Sequence, residues 1–126
     1  MKDTINIPEG YHRITPYLII KNAPAFMHFM HTVFGATEIL KVMRDEKLIM
    51  HAELQIGDSV IMLADATEQY PVQNAGIFIY VQDCDSAYQV ALDNGAISIF
   101  PPANQEYGRS AGVKDTFGNS WWLTSL

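Results

Sequence analysis

The sequence predicts an α+β domain built from two tandem βαβββ units. Its 126 residues are one domain's worth of chain and leave no length for a second independent core. The order strand, helix, three strands is read twice, at a spacing of about sixty residues. Short matching sequences recur at that spacing: Gly35-Ala36 with Gly95-Ala96, Gly57-Asp58-Ser59 with Gly118-Asn119-Ser120, and Asn22 with Asp83. Neither unit can bury its own sheet face, which implies joined or paired curved sheets with helices on the outside. The first unit is expected over residues 11–64, a linker over 65–74 and the second unit over 75–126.

Ile14 to Ile20 is a β-branched and aromatic run that reads as a strand. Asn22 is an N-cap with Pro24 in the first turn, where a missing N–H is harmless, and Gly35 suits a left-handed helix end. Between them Phe26, Phe29, Met30 and Val33 form one apolar stripe, with His28 and His31 off it. Thr37 to Met43 reads as the second strand, and the charged turn Arg44-Asp45-Glu46-Lys47 leads to a third over Leu48 to Ile56. That strand alternates, with Ala52, Leu54 and Ile56 on one face and His51, Glu53 and Gln55 on the other. Gly57-Asp58 turns the chain into a return strand over Ser59 to Leu63.

In the second unit Gly76 to Val81 is a strand, Asp83 or Asp85 caps a helix carrying Cys84, Ala87, Tyr88 and Ala91 inward, and Gly95 closes it. Ile97 to Phe100 is expected to stop at Pro101-Pro102, which lack the N–H groups of a ladder. Ala111 to Lys114 and Ser120 to Thr124 complete the unit, joined by Asp115-Thr116-Phe117-Gly118.

Composition narrows the function. Hydrophobic residues at 48% and charged residues at 17% describe a packed globular protein and not a disordered chain. A formal net charge of −6 repels a phosphate backbone, so nucleic acid is not an expected partner. The single Cys84 cannot form an internal disulfide, which suits a reducing cytoplasm. No export signal is read in Met1 to Gly10, and no apolar run approaches the roughly 20 residues that span a bilayer, so no membrane partner is expected.

Tyr11-His12 leading into Thr15-Pro16-Tyr17-Leu18, then Phe34-Gly35-Ala36, Met50-His51-Ala52-Glu53-Leu54, Ile56-Gly57-Asp58-Ser59 and Asp115-Thr116-Phe117-Gly118 together resemble the vicinal oxygen chelate superfamily. This is the glyoxalase, bleomycin-resistance and extradiol-dioxygenase group. Within it the chain is similar to bacterial glyoxalase-like proteins often misnamed after a ubiquinone methyltransferase. The resemblance covers nearly the whole chain. It implies U-shaped sheets whose concave faces hold the ligand, and a homodimer. It also implies a divalent metal held by His, Gln or Glu at corresponding places of the two units. Those places fall here on Thr15, on Gly76, on Trp122 and on Ile61 or Met62. Thr is a poor ligand without ionised neighbours, and Gly, Ile and Trp side chains offer no donor, so no metal or other cofactor is expected. Metal-dependent glyoxalase or dioxygenase activity, which needs converging strong donors, is not expected either.

Thr15, Tyr17 and Ile19 share a strand face, as do Gly76, Phe78 and Tyr80. The opposite faces, Ile14, Leu18 and Ile20 with Ile77, Ile79 and Val81, suit packing under the helices. Trp122 joins the aromatic side by its aligned position. These aromatics either line a ligand groove or fill it. His51 and Glu53 are close enough to share a ligand or a proton, with Glu53 the better general base; the competing reading is a solvated or dimer-bridging row. His28 and His31 are one turn apart but lack a third ligand, and Cys84 reads as a small core residue. Arg109 and Lys114, beside Tyr107, either set positive charge at the groove mouth or are ordinary surface cations.

The expected function is capture of a small organic molecule in an aromatic-lined groove with a degenerate metal site, as the resemblance to bleomycin-resistance proteins implies. Its contacts are expected from Thr15, Tyr17, His51, Glu53, Phe78, Tyr80, Arg109 and Trp122. The alternative is an isomerase or lyase of the same fold using His51 and Glu53, with or without a divalent metal. A third reading is an interaction module whose groove is plugged by its own side chains.

Overall fold

In the computed structural model, which describes residues 5–126, the two expected βαβββ units are present as two four-stranded mixed sheets, each with one helix. The first unit runs β1 (Tyr17–Ile20), α1 (Ala23–Phe34), β2 (Thr37–Met43), β3 (Ile49–Ile56) and β4 (Ser59–Asp65). The second runs β5 (Gly76–Tyr80), α2 (Cys84–Asp93), β6 (Ile97–Gln105), β7 (Gly108–Lys114) and β8 (Ser120–Ser125). The strand orders are β1-β4-β3-β2 and β5-β8-β7-β6. In each sheet the first and last strands of the unit pair parallel and the other pairs are antiparallel.

Local chemistry sets the element ends. The Asn22 side chain accepts from the Ala25 N–H, and the Gly35 N–H donates to the His31 carbonyl at 2.9 Å from a backbone at φ 69°. That positive φ is why a glycine closes α1. Asp83 caps α2 through the Ser86 N–H at 3.1 Å. Two buried carboxylates then tie elements together. Asp65, at the end of β4, accepts from the Ala23 and Ile49 N–H groups, each at 2.7 Å. Asp115 accepts from the N–H groups of Phe117 at 2.8 Å and Asn119 at 2.9 Å and from the Trp121 indole N–H at 2.8 Å. The Asn119 side chain in turn accepts from the Ala75 N–H at 3.0 Å, which fixes the entry to β5.

Three features differ from the sequence expectation. Regular pairing in β1 begins at Tyr17, after Pro16, and Ile14 is left 84% exposed and outside the core. β6 continues through Pro101-Pro102 to Gln105, because it is an edge strand paired only with β7, and its register shifts between Phe100 and Ala103 let the prolines pass. The helices also do not lie outside the folded chain. Phe26, Phe29 and Met30 of α1 and Cys84, Ala87 and Ala91 of α2 belong to one core, and the helices touch each other. The Trp121 ring meets Phe34 at 4.8 Å between centroids, and Phe117 meets Phe26 edge-on at 5.4 Å. The helix-bearing faces of both sheets are therefore joined, and the opposite, concave faces are open. Tyr17, Phe78, Tyr80 and Trp122 stand exposed on those faces.

Candidate functional site

Register places the polar group of the first cup. Tyr17 of β1 pairs with Met62 of β4, and Met62 also pairs with Glu53 of β3, so Tyr17, Met62 and Glu53 lie side by side. His51 is two residues before Glu53 and shares its face. The His51 Nε2 is 2.7 Å from Glu53 Oε2, and His51 Nδ1 is 2.9 Å from the Tyr17 hydroxyl. A carboxylate only accepts, so the Nε2 facing Glu53 carries a proton, which leaves Nδ1 as the nitrogen that can accept from Tyr17. Tyr11, from the segment before β1, donates its hydroxyl to the other Glu53 oxygen. Four side chains thus form one chain: Tyr17, His51, Glu53, Tyr11.

Glu53 is only 5% exposed. The Tyr11 phenol, and then His51, hold its carboxyl below the ordinary carboxylate range, against the opposing effect of burial. The Tyr11 phenol is pushed up, first by its hydrogen bond to that carboxylate. Burial, then the Glu53 charge, raise the Tyr17 phenol, and Arg44 acts in the opposite direction. Gln55 leaves the row and donates to the Gly57 carbonyl at 3.1 Å.

The second cup is aromatic. Phe78 of β5 pairs in register with Trp122 of β8. The Phe78 ring stands 5.3 Å from Tyr80 and 6.3 Å from Tyr107 between centroids. The Trp122 indole lies over Gly76, where a Cβ would be 2.8 Å from its Cζ3. One indole therefore takes up the space at both of the second unit's metal-ligand places.

Three hollows surround these groups. A crevice of about 620 Å³ between the units is lined by Thr15, Phe78 and Tyr80 among others. A cavity of about 570 Å³ under the segment before β1 includes Tyr11, Thr15, Glu53 and Met62. A third, of about 510 Å³, lies at the far end of the first cup and includes Tyr17, Arg44 and Tyr70. Of the residues expected at the site, Tyr17, His51 and Glu53 come together in the first cup and Phe78, Tyr80 and Trp122 in the second. Thr15 lies where the crevice and the cavity meet.

Arg109 joins neither group. It is in register with Ser125, and the face it shares with Ala111 and Val113 is the buried, helix-bearing one. Its guanidinium holds both oxygens of Asp85, with Nε–Oδ1 at 2.5 Å, and also Asn104. Positive charge at the first cup comes instead from Arg44, which sequence reading assigned to a charged turn. Tyr11 was also missed as a site residue. It lies 42 positions from Glu53, and no local pattern signals a hydrogen bond at that range. Cys84 is buried as expected, and burial raises its thiol. Among the described residues no group of three or more His, Cys, Asp or Glu could hold a metal ion. No helix of the described residues is long and apolar enough to cross a membrane.

Comparison with known proteins agrees with the fold. An uncharacterized protein of Mycobacterium bovis is 30% identical over 122 residues, covering 87% of this chain and 80% of the relative. A Mycobacterium tuberculosis protein, also uncharacterized, is 30% identical over 87% of this chain and 72% of its own. Among solved structures, TioX from Micromonospora sp. superposes with a TM-score of 0.70 at 22% identity, over 91% of this chain and 96% of that one. The PhnB protein from Bacillus cereus gives 0.75 at 17%, over 91% and 100%. The fosfomycin resistance protein FosX from Mesorhizobium loti gives 0.67 at 18%, over 95% and 94%. Residues 10–123 match the family model itself. With that match spanning almost all of the two units described above, the chain belongs to the Glyoxalase/Bleomycin resistance protein/Dioxygenase superfamily.

Proposed function

We propose that this protein captures a small organic molecule in its concave faces without a metal at the family's ligand places. The observation that carries the reading is an exposed aromatic wall on the open face of the second sheet and a polar anchor on that of the first. Phe78, Tyr80 and Trp122 offer flat apolar surface, and the Tyr17–His51–Glu53 chain offers directed hydrogen bonds. A divalent metal does not fit the residues present. Thr15 and Met62 are weak donors, Gly76 has none, and the Trp122 indole closes over Gly76. The resistance activity named for the FosX relative is compatible with a capture role here.

Tyr17, Phe78, Tyr80 and Trp122 are 36–69% exposed on open faces of one chain. Such a surface suits a homodimer in which a second copy closes the cups. A cytoplasmic place accords with the lone, buried Cys84, and the acidic charge argues against nucleic acid.

The test is a quenching screen of Trp122 emission against antibiotics and aromatic metabolites, with sedimentation to read the oligomer. Saturable quenching by at least one compound, lost in Trp122→Phe, is expected. No response across the panel overturns the reading, as does stoichiometric Zn, Ni, Mn or Fe in protein purified without chelator.

A second reading is favoured by the His51–Glu53 hydrogen bond at 2.7 Å: an isomerase or lyase that moves a proton through these two groups. Turnover lost in Glu53→Gln distinguishes it from capture alone.

A further inference from the structure

The cavity at the far end of the first cup, about 510 Å³ in volume, is lined by Tyr17, Arg44, Met50, Asp65, Gln69 and Tyr70 among others. Tyr17 and Arg44 bring a hydroxyl donor and a cation to it, Asp65 and Gln69 are its other polar residues besides the Tyr70 phenol, and the rest of its wall is apolar. We propose that this cavity binds an acidic hydroxyl compound, a phenol or an enol, as its oxyanion, with the released proton stored on His51. The proposal rests on the capture reading and names the class of compound taken.

The geometry supplies each part. Behind Tyr17 stands the His51 Nδ1 at 2.9 Å, and because the Glu53 carboxylate draws the proton to Nε2 at 2.7 Å, Nδ1 is the nitrogen left to accept from Tyr17. When a ligand hydroxyl reaches Tyr17, its O–H bond breaks and the proton bonds to the Tyr17 oxygen. The phenol's own proton passes to His51 Nδ1. The tyrosine ends neutral, the imidazole ends as a cation between Tyr17 and Glu53, and the ligand ends as an anion. All hydrogen bonds then point one way: Nε2–H to Glu53, Nδ1–H to Tyr17, and Tyr17 O–H to the oxyanion. The imidazolium is matched by the buried Glu53 carboxylate, and the oxyanion is matched by Arg44.

Phenolate is never formed on Tyr17 itself, in keeping with the upward push that burial and Glu53 exert on its phenol. The carboxylates at and near this end of the cup, Asp65 of the cavity wall among them, are already engaged. Tyr11 donates to Glu53, and Asp65 is taken by the Ala23 and Ile49 N–H groups. Asp45 is held by the Lys47 and Leu48 N–H groups, and Tyr70 is a phenol of the cavity wall.

The test uses the intact protein and two probes of one shape. 4-Nitrophenol has the acidic hydroxyl, and its ionised form is read by visible absorption. 4-Nitroanisole has the same ring and no such proton, and binding of both is read by equilibrium dialysis. Bound 4-nitrophenol is expected to ionise about one pH unit lower than the free compound, a tenfold gain in acidity. It is expected to bind about tenfold more tightly than 4-nitroanisole. Tyr17→Phe and Arg44→Gln should each erase the difference while 4-nitroanisole is still held, which shows that the variants remain folded. Equal binding of both probes with no shift in ionisation overturns the inference and leaves capture standing, and so does a full shift in Tyr17→Phe. Retention of neither probe overturns the inference too, and the quenching screen then decides the capture reading by itself.

Discussion

Replacing Trp121 by Phe tests the junction on which both cups depend. Trp121 is fully buried, its ring stacks near Phe34 of the other unit, and its indole N–H donates to Asp115. Phe keeps a ring but loses that donor. A hydrogen bond to a carboxylate contributes about 2 kcal/mol, and the smaller ring leaves a void costing about 1 kcal/mol. The expected loss is therefore about 3 kcal/mol, which for a chain of this length lowers Tm by roughly 12 °C. Thermal unfolding is followed by far-UV circular dichroism and by the emission of Trp122, the tryptophan that remains. Because Phe34–Trp121 and Phe26–Phe117 both join the units, the two probes should report one coincident transition. A Tm drop under about 3 °C, or Trp122 reporting its unit melting apart from the helical signal, refutes the shared core. If the variant folds, ligand quenching in it comes from Trp122 alone.

Glu53 gives a pH dependence of known sign. Its carboxyl is held low in the folded protein, so its contribution is complete above the ordinary value of about 4.3 and fades as pH falls through the lower folded value. Urea denaturation of the native protein and Glu53→Gln should show a gap that is constant down to about pH 5 and shrinks below it. Gly76→Ala drives a Cβ to within 2.8 Å of the Trp122 ring. The indole, on an open face, should swing outward with a red-shifted emission and a stability loss below about 1 kcal/mol. Arg109→Ala breaks an exposed ion pair away from both cups, so Tm should change by less than about 2 °C and probe binding should be unaltered.

The parts of this molecule legible in the sequence are those set by neighbours in the chain. The caps at Asn22 and Asp83, the left-handed Gly35 and the alternation that puts His51 and Glu53 together all follow from residues within one turn or one strand. What was not legible depends on distance in the chain. Tyr11 reaches Glu53 only once the segment before β1 is laid across the cup. Arg109 reads as an open cation until Asp85, 24 positions earlier, is brought against it. Arg44 sits in a turn that looks like plain solvated charge, and its proximity to Tyr17 exists only after β1 and the β2–β3 turn meet at one end of the sheet. The prolines of β6 lack the N–H groups of a ladder and so read as a stop, but an outer strand pairs on one side only and tolerates them.

That outer strand bears on how copies of this protein can associate. Pro101 and Pro102 leave β6 without two amide hydrogens, and as neighbouring N–H groups of a strand point to opposite sides, the free rim of the second sheet loses a donor there, while Glu38 with Lys41 puts fixed charge along the rim of the first. A neighbouring molecule that tried to extend either sheet sideways would find gaps or solvated charge where it needed partners. Runaway, fibre-like stacking is thereby discouraged at the β2 and β6 margins.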